Sequence, residues 1–238
     1  MSKPLVIVQA RSGGKRLPGK IHMLLSPGES MLYHVCKRAE KLGPVFVATP
    51  PPDLPEDDVL SRFWRVAEQH PEVDTFVRIT ADCPLLDWQF SLTLMDAHAR
   101  GGVDFVGTHW SLDGLDTEVF SRDALERACV HESEREHPTL WMRDALRTKI
   151  VKFPGQGPFR WSVDDEMGLE FVRRVMAACD HCRDGVPHHS NAHSSIGGMD
   201  GRAPRWDLHA GPDGGLVECT AYEVRMERVG GEGYRTNG

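Results

Sequence analysis

A three-layer α/β domain around a mostly parallel sheet is the fold this sequence predicts, and three observations point to it. Short β-forming runs alternate with stretches of helical spacing over about the first three quarters of the 238 residues, the pattern of strands joined by crossover helices. The first run, Leu5-Val6-Ile7-Val8, empties into a loop with glycines at 13, 14 and 19 and cations at 11, 15, 16 and 20. A later run, Asp74 to Thr80, ends in Ala81-Asp82. That puts an acid just past the carboxyl end of a strand, where ligands bind in open α/β sheets. No segment repeats with a period of about 20–50 residues, so nothing suggests a solenoid.

Each element has a local reason. Leu5 to Val8 is unbroken apolar sequence, the mark of a buried strand. Ser30 is placed to cap a helix whose apolar positions Met31, Leu32, Val35, Ala39 and Leu42 share one face until Gly43-Pro44 ends it. Pro44 to Ala48 is a second strand. Thr49 to Pro55 holds four prolines and cannot be regular, because proline lacks an amide donor and restricts its neighbour. Glu56 to Gln69 is a helix with Val59, Leu60, Phe63, Val66 and Ala67 as its buried stripe. Asp74 to Thr80 is a third strand, Trp88 to Arg100 a helix closed by Gly101-Gly102, and Val103 to Val106 a fourth strand. Gly114 to Phe120 reads as a short strand carrying two acids. Ser121 caps a helix through about Cys129, and another helix ends near Leu146. Thr148 to Phe153 and Arg160 to Val163 read as strands, and an amphipathic helix follows from Glu166 through Ala178. Beyond Cys179 the composition shifts to His, Gly, Ser, Asn, Asp and Pro. Residues 1–179 are therefore expected to form the main domain and 180–238 a C-terminal extension, with Leu216 to Val229 positioned to pair with Trp206-Asp207-Leu208 as a β-hairpin.

The bulk numbers are those of an ordinary globular protein, 40% hydrophobic and 26% charged. A net charge of −7 argues against nucleic acid or an anionic membrane as partner. No apolar run approaches the length of a membrane span. The N-terminal segment lacks the apolar core of a secretion signal, and six scattered cysteines suit reduced thiols. The expected compartment is the cytoplasm.

The cations at Arg11, Lys15, Arg16 and Lys20 are thus a local concentration on an acidic background. Glycine lets backbone N–H groups approach a ligand closely, so strand, loop and cations together suit a polyphosphate. Gly14 to Lys20 satisfies the spacing of a Walker A motif, but Ile21 stands where Ser or Thr should meet Mg2+ and no helix opens from the loop. Asp82 and Asp164 each follow an expected strand. A turn is the structural alternative for Asp82, and for Asp164 or Asp165 a cap on the helix from Glu166. Asp116 and Glu118 alternate with Leu115, Thr117 and Val119, so on a strand they share a face, toward an acceptor, a metal or solvent. Ser133 to His137 either caps a helix or offers Arg135 and His137 to an anion.

Gln9-Ala10-Arg11-Ser12-Gly13-Gly14-Lys15-Arg16-Leu17-Pro18-Gly19-Lys20 resembles the signature loop of the cytidylyltransferase superfamily, in its branch of spore coat polysaccharide biosynthesis protein F-like enzymes. Three further blocks resemble the same family, in order: Val77 to Asp87, Gly114 to Ser121 with Ser133 to His137, and Trp161 to Asp165. The resemblance implies a Rossmann-like nucleotide-diphospho-sugar transferase fold. It implies transfer of CMP from CTP to an acidic sugar or related acceptor, with release of pyrophosphate, in surface polysaccharide or glycoconjugate synthesis. Residues 9–16, Lys20, Thr80, Ala81 and Asp82 would bind the nucleotide. Arg11, Lys20, Asp82 and Asp164 would be catalytic, the two aspartates holding Mg2+, which takes one or two carboxylates and keeps several waters. Asp116, Glu118, Arg135 and His137 would meet the acceptor. A homodimer is expected.

The chain departs from the family in two places. Where the family carries a helix, a strand and an arginine-containing turn after the second strand, only Thr49 to Pro55 remain. A wall near the base is thereby removed, which leaves open a sugar-1-phosphate nucleotidylyltransferase using another base, or a silent nucleotide-binding relative. In the loop, Gly14 and Lys15 replace the family's serine and small residue. In the extension, Cys179 and Cys182 with His188, His189, His193 and His209 have the donors for zinc but fit no standard finger spacing; a His-rich extension is the simpler expectation.

Overall fold

The computed structural model describes residues 3–11, 13–14, 16–108, 113–131, 133–152 and 160–178, and the backbone of 202–210, 217–229 and 233–236. Ser12, Lys15, Cys179, Cys182 and the histidines at 188, 189 and 193 lie outside the described residues.

Six strands form the main sheet: β1 (Leu5–Gln9), β4 (Val45–Ala48), β5 (Thr75–Thr80), β6 (Phe105–Thr108), β7 (Glu118–Ser121) and β8 (Thr148–Val151), with β2 (Leu24–Ser26) and β3 (Glu29–Ser30) a separate small hairpin. The order across the sheet is β4-β1-β5-β7-β6-β8. All neighbours run parallel except β7, which is antiparallel to both β5 and β6. The mostly parallel α/β fold expected from the sequence is the fold observed.

Strand alternation sorts the side chains into two layers. Leu5, Ile7, Phe76, Phe105 and Phe120 face one side, against α2 (Val59–Gln69), α4 (Arg122–His131) and α5 (Leu140–Ala145). Val6, Val8, Val77, Ile79, Val106 and Val119 face the other, against α1 (Met31–Ala39) and α3 (Trp88–Ala99). One layer is built on aromatics, with the Phe63 and Phe120 rings stacked at 6.4 Å; the other is built on β-branched residues that suit a pleated surface. A third cluster packs α6 (Glu166–Ala178) through Leu169, Val172, Val175 and Met176 against Leu17, Leu25, Met31 and Leu85. This cluster seats the glycine-rich loop on the rest of the domain.

Helix starts follow local capping chemistry. Ser30 accepts from the Tyr33 amide at 3.3 Å and Ser121 from the Ala124 amide at 3.1 Å, as expected. Helix α2 begins at Val59 rather than Glu56, because Asp58 takes the cap position and accepts from the Ser61 amide at 3.0 Å. Two expected strands are corrected. The run 114–120 contributes only β7, from Glu118 onward. Arg160 to Val163 forms no strand, because its amides are spent on loop carbonyls: Trp161 donates to Asp113 and Val163 to Asp82, at 2.9 and 2.8 Å.

In the C-terminal region, β9 (Arg202–Ala210), β10 (Val217–Val229) and β11 (Gly233–Thr236) form an antiparallel sheet in the order β11-β10-β9. No helix among the described residues is long and apolar enough to cross a membrane.

Candidate active site

The sheet delivers its chemistry at one edge. Strand β1 ends in the glycine-rich loop, β5 ends in Ala81-Asp82, and the segment before α6 carries Asp164. These three pieces meet. An open cleft of about 200 Å3 is lined by Thr80, Asp82, Cys83, Asp113, Asp116, Arg160, Ser162 and Asp164.

Lys20 sits in the middle of them. It lies on a short 3-10 turn, Lys20–His22, that follows the left-handed Gly19 (φ 70°). Its ammonium donates to Asp82 Oδ2 at 2.8 Å, to Asp164 Oδ1 at 3.4 Å and to the Val163 carbonyl at 2.7 Å. Lys20, expected among the nucleotide-binding and catalytic cations, has a side chain only 10% exposed and holds two acids. Burial works against a charge on Asp82, but the Lys20 ammonium overcomes it and holds the carboxyl below its usual range.

The cap alternative for Asp164 is resolved by its neighbour. Asp165 Oδ1 accepts from the Gly168 amide at 2.9 Å and caps α6. Asp164 therefore points its oxygens elsewhere: to Lys20, to Ser162 at 3.2 Å, to Arg16 at 3.2 Å and to Arg160 at 2.7 Å. Arg160 also pairs with Asp113.

Among the described residues no group of three or more His, Cys, Asp or Glu is disposed around one metal position. Magnesium does not require such a group: one or two carboxylates and several waters suffice. Asp82 and Asp164 already converge on one cation, the Lys20 ammonium, and both are hard oxygen donors. The donor set fits Mg2+.

Asp116 lines the same cleft and accepts from the Gly114 amide at 3.2 Å. Burial, and then the nearby Glu118, raise its carboxyl above the usual range against the pull of Arg78. Gly114 itself has φ +93°, and a Cβ there would run into the Trp161–Ser162 backbone. The 113–116 loop thus docks on the 160–164 segment with no space for a side chain.

Glu118 does not share that cleft. It is buried, bridging Arg78 Nη1 at 2.5 Å, Thr139 at 2.8 Å and Arg143 at 3.4 Å. Its role beside an acceptor is corrected to that of a counter-charge inside the sheet. Arg135 also turns away from the cleft, donating to Asp58 at 3.0 Å and Ser61 at 2.6 Å. His137 faces Glu134 at 3.6 Å. Neither lines the cleft that holds Asp82.

The described cations of the loop are all partnered by acids. Arg11 pairs with Glu136 at 2.8 Å, Arg16 with Asp164, and the Gly13 amide donates to Glu56 at 2.9 Å. Gln9 and Thr80, at the ends of β1 and β5, hold Arg78 and Cys83 respectively. Ala10 and Ala81 are buried backbone positions whose amides complete the ladder to Ala48 and Gln9.

The sequence reading overlooked Asp113, Cys83, Arg160 and Ser162 as site residues, which the fold brings in from three loops. It also overlooked Arg62, whose guanidinium donates to the carbonyls of Ala10, Ala48 and Glu56 at 3.0–3.2 Å while only 3% exposed. An arginine on the apolar stripe between Val59 and Val66 was the legible signal. It fastens the strand ends beside the proline-rich 49–55 segment.

No protein-family model matches the sequence. Among solved structures, the fold is similar to a cytidylyltransferase from Leptospira borgpetersenii serovar Hardjo-bovis, with TM-score 0.66 and 21% identity over 74% of this chain and 87% of that one. It is also similar to a CMP:2-keto-3-deoxy-manno-octonic acid synthetase complexed with CTP, with TM-score 0.57 and 20% identity over 74% of this chain and 99% of that one. At these identities the likeness shows a shared fold. The uncharacterized protein MJ1063 of Methanocaldococcus jannaschii is 32% identical over 165 residues, spanning 59% of this chain and 67% of that protein. That identity and span make the chain a member of the same family as MJ1063.

Proposed function

We propose that the chain is a Mg2+-dependent cytidylyltransferase of the spore coat polysaccharide F-like type, transferring CMP from CTP to an acidic sugar or sugar-like acceptor for surface polysaccharide or glycoconjugate synthesis. One observation carries the reading: Asp82 and Asp164, from separate loops, converge on a single cation beside a glycine-rich phosphate loop. The motif order supports it, as does the CTP complex of a synthetase with this fold.

The acceptor hydroxyl oxygen attacks the α-phosphorus. A new P–O bond forms, the bond from the α-phosphorus to the bridging oxygen breaks, pyrophosphate leaves with that electron pair, and the hydroxyl proton passes to solvent. Such a reaction needs alignment and charge neutralisation rather than a covalent intermediate. Arg11, Arg16 and the loop amides hold the leaving pyrophosphate. Lys20 fixes the two aspartates in place. Magnesium, held by Asp82 and Asp164, would supply electrostatic polarisation of phosphoryl oxygens. Asp116, which lines the same cleft, orients the acceptor. We further propose a homodimer assembled through residues 180–238.

Pyrophosphate release with each of the four nucleoside triphosphates, with and without Mg2+, against a panel of acidic sugars tests this reading. CTP turnover that falls at least about a hundredfold in Asp82→Ala or Asp164→Asn is expected. Preference for UTP or dTTP would replace the base assignment, and nucleotide binding without turnover on any acceptor would overturn the enzymatic one. Sedimentation of the chain ending at residue 179 tests the assembly role: retention of the dimer removes it.

A further inference from the structure

The glycine-rich loop is closed by two acids from different parts of the chain. Glu56 sets its carboxylate on the Gly13 amide at 2.9 Å, so close that a Cβ at position 13 would strike it. Glu136 sets its carboxylate on Arg11 at 2.8 Å. A carboxylate meets an N–H or a guanidinium with the same chemistry as a phosphate oxygen.

The segments carrying these acids are fastened to each other. Arg135, next to Glu136, donates to Asp58 and Ser61 at the start of α2, and its carbonyl accepts from the Leu60 amide at 3.1 Å. Arg62 ties the Glu56 carbonyl to the Ala10 carbonyl at the root of the loop. The two arms therefore form one unit, presenting two negative charges to two donors of one loop.

We infer that Glu56 and Glu136 are a carboxylate clamp that occupies the triphosphate's donors in the empty protein and is displaced when nucleotide binds. The inference rests on the reading of this loop as the triphosphate site. Arg135 is the fastener of the clamp rather than an acceptor ligand. Both donors lie at the surface, with the Arg11 side chain 42% exposed, so a polyphosphate reaches them once the carboxylates swing out.

The consequence runs against the usual effect of mutating an active-site neighbour. Glu56→Gln and Glu136→Gln should each tighten CTP and inorganic pyrophosphate about two- to fivefold, because a surface ion pair of this kind is weak and the ligand no longer displaces a charge. The double variant should gain about the product. Asp57→Asn, which removes a neighbouring acid without emptying a loop donor, should change affinity less.

Titration calorimetry of the full chain with CTP and with pyrophosphate, without metal, reads these values. Affinity unchanged or weakened in both single variants, or an equal gain in Asp57→Asn, overturns the clamp. If the native chain binds and the variants do not gain, only the clamp fails. If native chain and variants alike bind neither ligand, the triphosphate reading of the loop fails with it. Binding that emerges only in the variants supports both.

Discussion

Asp164 and Asp165 are adjacent, and the fold gives them different work. Asp165 serves the α6 amides, so Asp165→Ala should lower stability by about 1 kcal/mol while leaving pyrophosphate release close to the native rate. Asp164→Asn should do the reverse, losing turnover with its melting temperature nearly kept. Differential scanning calorimetry beside the pyrophosphate assay separates the two. Glu118 belongs at this scale as well. Burial opposes its charge, but Arg78, with Thr139 and Arg143, overcomes that and holds its carboxyl below the usual range. The folded-state value lies under the unfolded one of about 4.3, so its stabilisation is full above that pH and fades as the pH falls through the depressed value. Glu118→Gln leaves Arg78 and Arg143 without their counter-charge and should cost about 3–5 kcal/mol near neutrality. The gap to the native protein should narrow in acid, and urea unfolding at a series of pH values measures it.

The loops that make the cleft were harder to read than the strands that carry them. Asp116 and Glu118 alternate with Leu115, Thr117 and Val119, the two-residue period of a strand. Gly114 in the left-handed region and its contact with Trp161–Ser162 instead fold the first half of that run into a docked loop. Arg160 to Val163 shows the same substitution: its amides find partners, but the partners lie on loops far away in sequence. Local pattern reports whether backbone groups will be satisfied and says little about by whom. By contrast, Asp82 was legible, because a strand end in an α/β sheet has a known orientation toward ligand. Gly114→Ala tests the docking. It should destabilise by more than about 1 kcal/mol and depress turnover out of proportion, since Asp113 and Asp116 move together. Thermal melts with turnover measured well below the melting temperature would show this, and full activity in a stable Gly114→Ala protein would rule it out.

Across the whole molecule, a parallel sheet with one reversed strand brings three remote stretches, near residues 20, 82 and 164, to a single edge. The strand sequences foretold the architecture, since Val, Ile and Phe segregate by parity. The strand pattern alone does not bring the loops together: the family resemblance groups Lys20, Asp82 and Asp164, and α6 packing against the β2-β3 hairpin places their segments. One link in that meeting is made by main chain alone, the Val163 amide on the Asp82 carbonyl. Such a link acts as a ruler that side-chain variation cannot lengthen. Residues 113, 116 and 160 can change, and with them the lining of the cleft, while the main-chain link between the Asp82 and Asp164 segments stays in place. A glutamate at 82 would overshoot by one methylene with nothing in the backbone to take up the slack.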